Sequence, residues 1–372
     1  MYKEDTEQVC CGGPPPPKSS PYARPGYTLC RYVEEVRSTG AGPVPVVSTS
    51  RSFFDWAGGA AARLGLNRDH YLVAPGLYAV GKPDGAAPIL VTANYKLSFD
   101  ALRFALPGIN VWLLVLDTCG INVWCAAGKG TFSTEELVYR VKACGLEKLV
   151  DHRRLVVPQL GATGVSAHQV KKQSGFSVKF GPIRASDITT WLDNGAREFE
   201  GMRDVTFTLK ERIELIPVEF HLVLKSMWWL FPLLFLLSGI GPDLEVTSRL
   251  MSRGMWMVFA LLTGIGSGLI LVPLLLPWLP GRSFALKGAV AGLIVGPLLL
   301  FWFETGLSLP ESGALLALVV VMSSYLGMNF TGSTPYTSPS GVEWEMRRAI
   351  PVQFCLSVGA LLLWVGAPLV LA

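Results

Sequence analysis

Charge is scarce in this chain: Asp, Glu, Lys and Arg make up 16% of the 372 residues, the net charge is +4, and no run of Lys or Arg exceeds two. A nucleic-acid interface built on a basic stripe is therefore excluded, and no nucleic-acid partner is expected. Cysteine is sparse too, with seven residues and no C-x-x-C pair. That excludes a zinc ribbon and argues against a disulfide framework, so reduced thiols are expected. The first twenty residues hold acidic side chains and the run Pro14–Pro17 where a secretory signal would need an apolar stretch.

What the chain has in excess is apolar surface, 50% of residues with a mean hydropathy of +0.40, too much for a soluble protein of this length. The excess is uneven. Only 7 basic and 7 acidic residues follow Leu215, against 25 and 21 before it. Residues 1–28 mix Pro, Gly, Ser and charge without periodicity and read as a flexible tail, in which the vicinal Cys10-Cys11 is an incidental pair. Residues 29–215 read as an α/β domain with a doubly wound sheet, and residues 216–372 as an all-α transmembrane domain. Strands are expected at Tyr78–Val80, Ile89–Asn94, Ile109–Asp117, Arg154–Pro158, Phe176–Phe180 and Val205–Leu209. Helices are expected at Phe99–Ala105, Ser133–Ala143, Ser166–Gln173 and Ala185–Leu192.

Five apolar stretches follow, at Val218–Ile240, Met255–Leu279, Leu286–Phe303, Gly313–Leu326 and Pro351–Leu371, each near the length needed to cross a bilayer. Gly264/Gly268 and Gly288/Gly292/Gly296 recur every four residues, a spacing that lets helices approach closely. Lys210, Arg212, Lys225, Arg282, Lys287, Arg347 and Arg348 fall on one side of the five spans and Arg249 and Arg253 on the other. The excess of positive charge puts the N-terminal domain in the cytoplasm and the C-terminus outside. The segment Gly327–Ile350, with Tyr336 and Glu343/Glu345 beside Arg347/Arg348, is then a cytoplasmic loop.

The segment with the most chemistry runs from Asp117 to Phe132, directly after the apolar strand. In open α/β sheets ligands sit beyond the carboxyl ends of strands, where this segment lies. Its Gly128-Lys129 suggests a phosphate loop, but Val123 stands where the first glycine is required and Gly130 where Ser or Thr is required. If Asn122 caps a short helix, Cys125 lies in the first turn, where backbone N–H groups and the helix dipole favour a thiolate, a soft metal ligand. Helical spacing would place Asn122, Cys125, Ala126 and Lys129 on one face, while Ala126, Ala127 and Gly128 leave room for a large flat ligand. A small buried cysteine in a tight turn fits the same pattern equally well.

The string Asn122-Val123-Trp124-Cys125-Ala126-Ala127-Gly128-Lys129 resembles, at all eight positions, the cap-helix motif of the HgcA family of mercury-methylating corrinoid membrane proteins. A soluble Rossmann-like corrinoid domain followed by about five membrane helices is also that family's layout, and it is related to the corrinoid-binding domain of corrinoid iron–sulfur proteins. The resemblance implies a base-off cobalamin with Cys125 as, or near, the lower ligand to cobalt. A thiolate there would push electron density toward a methyl group leaving for Hg(II). It further implies a ferredoxin-like [4Fe-4S] reductant of the HgcB type and a methyl donor linked to methyltetrahydrofolate. The D-x-H-x-x-G signature of histidine-ligated corrinoid proteins does not occur. His70, His152 and His221 thus read as surface or structural residues, with His168, after the loop Gly161–Gly164, best placed to be an exception. Thr92, Asn94, Ser98, Gln159 and Gly161 resemble the family's corrinoid-contacting loops, although plain strand–helix turns explain them nearly as well.

Two other readings compete. A membrane-tethered corrinoid methyl carrier of acetyl-CoA metabolism keeps the cofactor and changes the acceptor. A transporter with a regulatory α/β domain is disfavoured because Glu219 and Glu304, near span ends, are the chief intramembrane ionisable groups.

Overall fold

The computed structural model describes residues 31–242, 244–302, 306–330 and 339–370. The tail 1–28 with Cys10 and Cys11, as well as Glu304 and Tyr336, lies outside them. Two compact units result: an α/β unit up to Val205, and a helical unit from Thr206 that also takes in Arg63–Gly65.

The α/β unit is built on a seven-stranded sheet of order β1-β2-β3-β5-β4-β6-β7. A hairpin of β1 (Val33–Thr39) and β2 (Gly42–Val47) forms one edge. β3 (Gly76–Val80) runs antiparallel to β5 (Val111–Leu116), so the sheet is mixed. β4 (Ile89–Ala93) lies parallel between β5 and β6 (Arg154–Val157), and β7 (Ser177–Phe180) parallel to β6 closes the other edge. β3, β4 and β5 are buried at every residue, which is why they read as continuous apolar runs rather than alternating ones.

Both faces are covered. Val91, Leu114 and Leu116 share a core with residues of α3 (Val123–Gly128), α4 (Thr134–Ala143) and α5 (Ala167–Ser174). Leu90, Leu113 and Val115 share the opposite core with α2 (Lys96–Phe104) and α6 (Ile188–Asp193). A further helix, α1 (Phe53–Arg63), and the β1–β2 hairpin were not foreseen. Val205–Leu209 is not a strand. Thr208 and Glu211 form a reciprocal capping box that starts α7 (Leu209–Met227), and the two N–H groups it satisfies belong to a helix.

In the helical unit α7 is followed by α8 (Leu230–Leu237), bent from it by 54°. Next come α9 (Val246–Leu275), α10 (Phe284–Trp302), α11 (Leu309–Asn329) and α12 (Pro339–Val370). Among the described residues four helices, α9 to α12, are long and apolar enough to cross a membrane, or five spans if the bent pair counts as one. Residues from Pro339 on are helical rather than loop, and Glu343 pairs with Arg347 at 2.6 Å. The glycine stripes face α11: a Cβ on Gly288 would lie 2.3 Å from Ser323 O, on Gly292 2.8 Å from Val320 Cα, and on Gly264 2.8 Å from Met322 Cβ.

Candidate functional site

The carboxyl ends of β4 and β5 meet at a buried polar knot. After β4, Asn94 Oδ1 accepts hydrogen bonds from the Thr118 and Gly120 amides, both at 3.0 Å, and lies 2.8 Å from the Thr118 hydroxyl. Its Nδ2 donates to Asp117 Oδ1 at 3.2 Å, and the Cys119 amide donates to the same oxygen at 3.1 Å. Behind them Glu136, paired with Arg140 at 2.7 Å, accepts from the Asp117 amide at 2.9 Å. These bonds hold Cys119 and Gly120 at φ 56° and 71°, a left-handed pair that costs energy at a non-glycine residue and persists only when its surroundings fix it. The turn delivers the chain to Asn122.

Asn122 caps α3, its Oδ1 accepting from the Cys125 amide at 2.9 Å. The helix splits sharply by exposure. Val123, Ala126 and Ala127 enter the sheet core, whereas Trp124, Cys125 and Gly128 are exposed. The expected common face of Asn122, Cys125, Ala126 and Lys129 is thus corrected: Ala126 is fully buried, and Cys125 shares its side of the helix with Trp124 and Gly128. Lys129 is half-buried at the C-cap. Beneath α3, a Cβ on Gly164 would come within 2.1 Å of Phe132 O and 3.1 Å of Ala127 Cα, and one on Gly161 within 2.5 Å of the Phe132 ring. Gly161 therefore serves close packing, with no side chain to offer a ligand.

Among the other expected contacts, none of Thr92, Asn94 and Ser98 has an exposed side chain. Thr92 is buried on β4 between Val91 and Ala93, which share the α3 core, so strand alternation turns it to the α2 side. Ser98 is half-buried on α2. Asn94 is 2% exposed and its amide is taken up by the turn, which makes it a positioning residue. Of the histidines, His152 is held by the Ala87 carbonyl at 2.9 Å, while His70 and His168 are exposed. Among the described residues no group of three His, Cys, Asp or Glu could hold a bare metal ion.

Three features fit a corrin. Cys125 presents a soft donor at the surface, a Cβ on Gly128 would meet nothing within 4 Å, and the buried Gln159 Oε1 has no hydrogen-bond partner. An orphaned buried acceptor is costly unless a donor reaches it, and a corrin rim carries amide donors.

Sequence reasoning missed a buried charge cluster at the start of α2. Lys96 lies 2.6 Å from Asp100 and 3.1 Å from Asp55 of α1, and Arg103 lies 2.7 Å from Asp100 and 2.6 Å from Asp55. Burial pushes the Asp55 carboxyl up, but bonds from Ser52, Arg103 and Lys96 outweigh it and hold the group well below its ordinary value. Burial, then the carboxylates of Asp100 and Asp55, push the nearby Tyr71 hydroxyl up to about 12. Lys96 and Asp100 stand four apart on one helix, a visible signal. Asp55 is 41 residues away from Lys96 and carries none.

Compared with known proteins, residues 68–192 match the family model described as the CO dehydrogenase/acetyl-CoA synthase delta subunit. The chain is similar to the acetyl-CoA decarbonylase/synthase complex subunit gamma of Methanopyrus kandleri, 33% identical over 128 residues, which is 34% of this chain and 27% of that protein. The corresponding subunits of Archaeoglobus fulgidus (32% over 123 residues; 32% and 26%) and Methanocaldococcus jannaschii (29% over 124; 33% and 25%) are also similar. The chain thus matches about a quarter of the length of these relatives. The family match begins before β3, contains the whole Asn94–Asp117–α3 assembly, and ends at α6, ahead of the helical unit.

Proposed function

We propose that this chain is a membrane-anchored corrinoid protein that carries a methyl group on cobalt and delivers it to Hg(II), forming methylmercury. The observation that carries the reading is Cys125, exposed on a capped helix at the carboxyl end of β5 inside a string that resembles the HgcA cap helix at eight of eight positions. When bound, the corrinoid supplies a cobalt centre that takes up and gives away a methyl group. Cys125 would hold the cobalt, and Gln159 and the exposed side of α3 the corrin rim. Asn122 fixes the Cys125 backbone, and Asn94 with Asp117 and Glu136 fixes the turn before it. Gly128, the small residue on the exposed side of α3, keeps bulk off the ring at its position. A ferredoxin-like [4Fe-4S] protein of the HgcB type would supply electrons, a methyltetrahydrofolate-linked system the methyl group, and the α/β unit would face the cytoplasm.

A second reading has its own support. The relatives are named as subunits of acetyl-CoA decarbonylase/synthase complexes. That favours a methyl carrier of one-carbon metabolism over Hg(II) as acceptor, for which these likenesses offer nothing. The Cys125 string is what favours mercury, since both readings allow a membrane tether.

The full chain, purified in detergent and reconstituted with cobalamin, is expected to bind one equivalent with a spectrum distinct from that of the Cys125→Ala variant. After methylation it should yield methylmercury on addition of Hg(II), and Cys125→Ala should lose at least about a hundredfold of that yield, since alanine has no donor atom. A chain that stays colourless defeats the corrinoid reading. A methyl group passed to an acetyl-CoA synthase partner but not to Hg(II) defeats the first acceptor and supports the second.

A further inference from the structure

α1 is amphipathic in an unusual sense. Its inward residues, Asp55, Gly59 and Ala62, follow i, i+4, i+7 spacing: Asp55 enters the buried charge cluster, and Gly59 and Ala62 are buried. The neighbouring Gly58 passes so close to Tyr71 that a Cβ would lie 2.6 Å from its hydroxyl. The outward side carries Phe53, Phe54 and Trp56, exposed at 71%, 57% and 60%. Their rings stand within 5.8 and 6.0 Å of one another. Three clustered aromatics left in water are a large apolar debt for a short helix, and patches of this kind mark an interaction surface. The rim is basic: the Arg31 guanidinium sits 3.5 Å over the Phe54 ring, and Arg51 is exposed just before the helix.

We propose that the Phe53–Phe54–Trp56 face of α1 is a membrane-interface anchor that seats in the headgroup region of an anionic bilayer. Two observations select a lipid surface over a protein partner. Aromatic rings flanked by arginine match the headgroup boundary, where rings sit at the apolar edge and guanidinium groups meet phosphate. The same chain also carries, among the described residues, four helices long and apolar enough to cross a membrane, so a bilayer is a surface this chain meets. Leu64 and Leu66, just after α1 in sequence, are exposed at 48% and 55%.

The inference is independent of the cofactor, so it is tested on the full chain without one. p-Benzoylphenylalanine is placed singly at positions 53, 56 and 139 of the chain in nanodiscs of phosphatidylcholine and phosphatidylglycerol, and irradiated. Tyr139, exposed at 39% on α4, is the control in the same unit. The expected result is lipid adducts at 53 and 56 at least about tenfold above those at 139, falling when phosphatidylglycerol is left out. Equal lipid yields at all three positions would overturn the proposal. So would adducts from 53 and 56 that are mainly to peptide, whether from residues 1–30 of the same chain or from a second copy.

Discussion

Asp55 shows how much one side chain can hold without touching the candidate site. It reaches from α1 to Lys96 and Arg103 of α2, and Arg103 Nη1 also donates to the Ser48 carbonyl at 2.7 Å. Asp55→Asn leaves two buried cations facing one carboxylate, and breaking a buried pair on one side typically costs about 3–5 kcal/mol. The expected outcome is a loss of that size in the stability of the α/β unit, measured by hydrogen exchange of α2 amides in the full chain. The pH dependence has a definite sign. The folded carboxyl is held below its ordinary value of 3.8, so its contribution is complete above that value and is lost only as pH falls through the lower folded one. The gap between wild type and Asp55→Asn should therefore stay constant from neutral pH down to the ordinary carboxylate range and close only in stronger acid.

Among elements, α3 separates two uses of glycine that look alike in sequence. A Cβ on Gly164 would collide with Phe132 O and Ala127 Cα, both backbone atoms, whereas one on Gly128 meets nothing within 4 Å. Gly164→Ala must shift α3 and should destabilise the α/β unit by about 1–3 kcal/mol or more. Gly128→Ala should leave folding intact or raise helix stability by up to about 1 kcal/mol, yet weaken cobalamin binding, because its methyl group would point to where the proposed corrin lies. Thermal unfolding and a spectral titration check the pair. Equal cobalamin affinity in wild type and Gly128→Ala would remove the corrin from this side of α3.

The same elements show what could be read beforehand. β4, β5, β6 and β7 were legible because burial on both faces, or a run bounded by turn residues, leaves a local mark. β1 and β2 were not: β1 is largely exposed, and β2 carries Pro43 and Pro45, which suit an edge strand and argue against a central one. The Asn122 cap was local and legible, whereas the exposure of Cys125 was not, since a buried cysteine in a tight turn fitted the same pattern. The orphaned Gln159 oxygen, the Asn94 knot and the turning of Thr92 to the α2 side depend on register and contacts distant in sequence, which no local pattern encodes.

At the scale of the whole molecule the open quantity is the number of crossings, because the α7–α8 pair is bent by 54° and either crosses or re-enters. Charge distinguishes the two. If the pair crosses, Lys210, Arg212, Lys225, Arg282, Lys287, Arg347 and Arg348 share one side, with Arg249 and Arg253 opposite, seven against two. If it re-enters, Arg249 and Arg253 join Lys210, Arg212 and Lys225, while Arg282, Lys287, Arg347 and Arg348 move opposite, and the bias falls to five against four. Only the first is a strong positive-inside pattern. The two minority arginines moreover have structural partners: Arg249 Nε donates to Gly239 O at 3.0 Å, and Arg253 Nη1 donates to Ser238 O at 2.9 Å. They satisfy carbonyls left open at the C-terminal end of α8, and Arg253 pairs with Glu311 at 2.6 Å. They are accounted for by helix ends rather than by topology. The pair should therefore cross, giving five spans and placing residue 372 on the face opposite the α/β unit. Alkaline phosphatase fused after Ala372 should be active and green fluorescent protein dark, while the same reporters fused after Lys210 should give the reverse. A fluorescent fusion after Ala372 would mean four crossings and a re-entrant α7–α8.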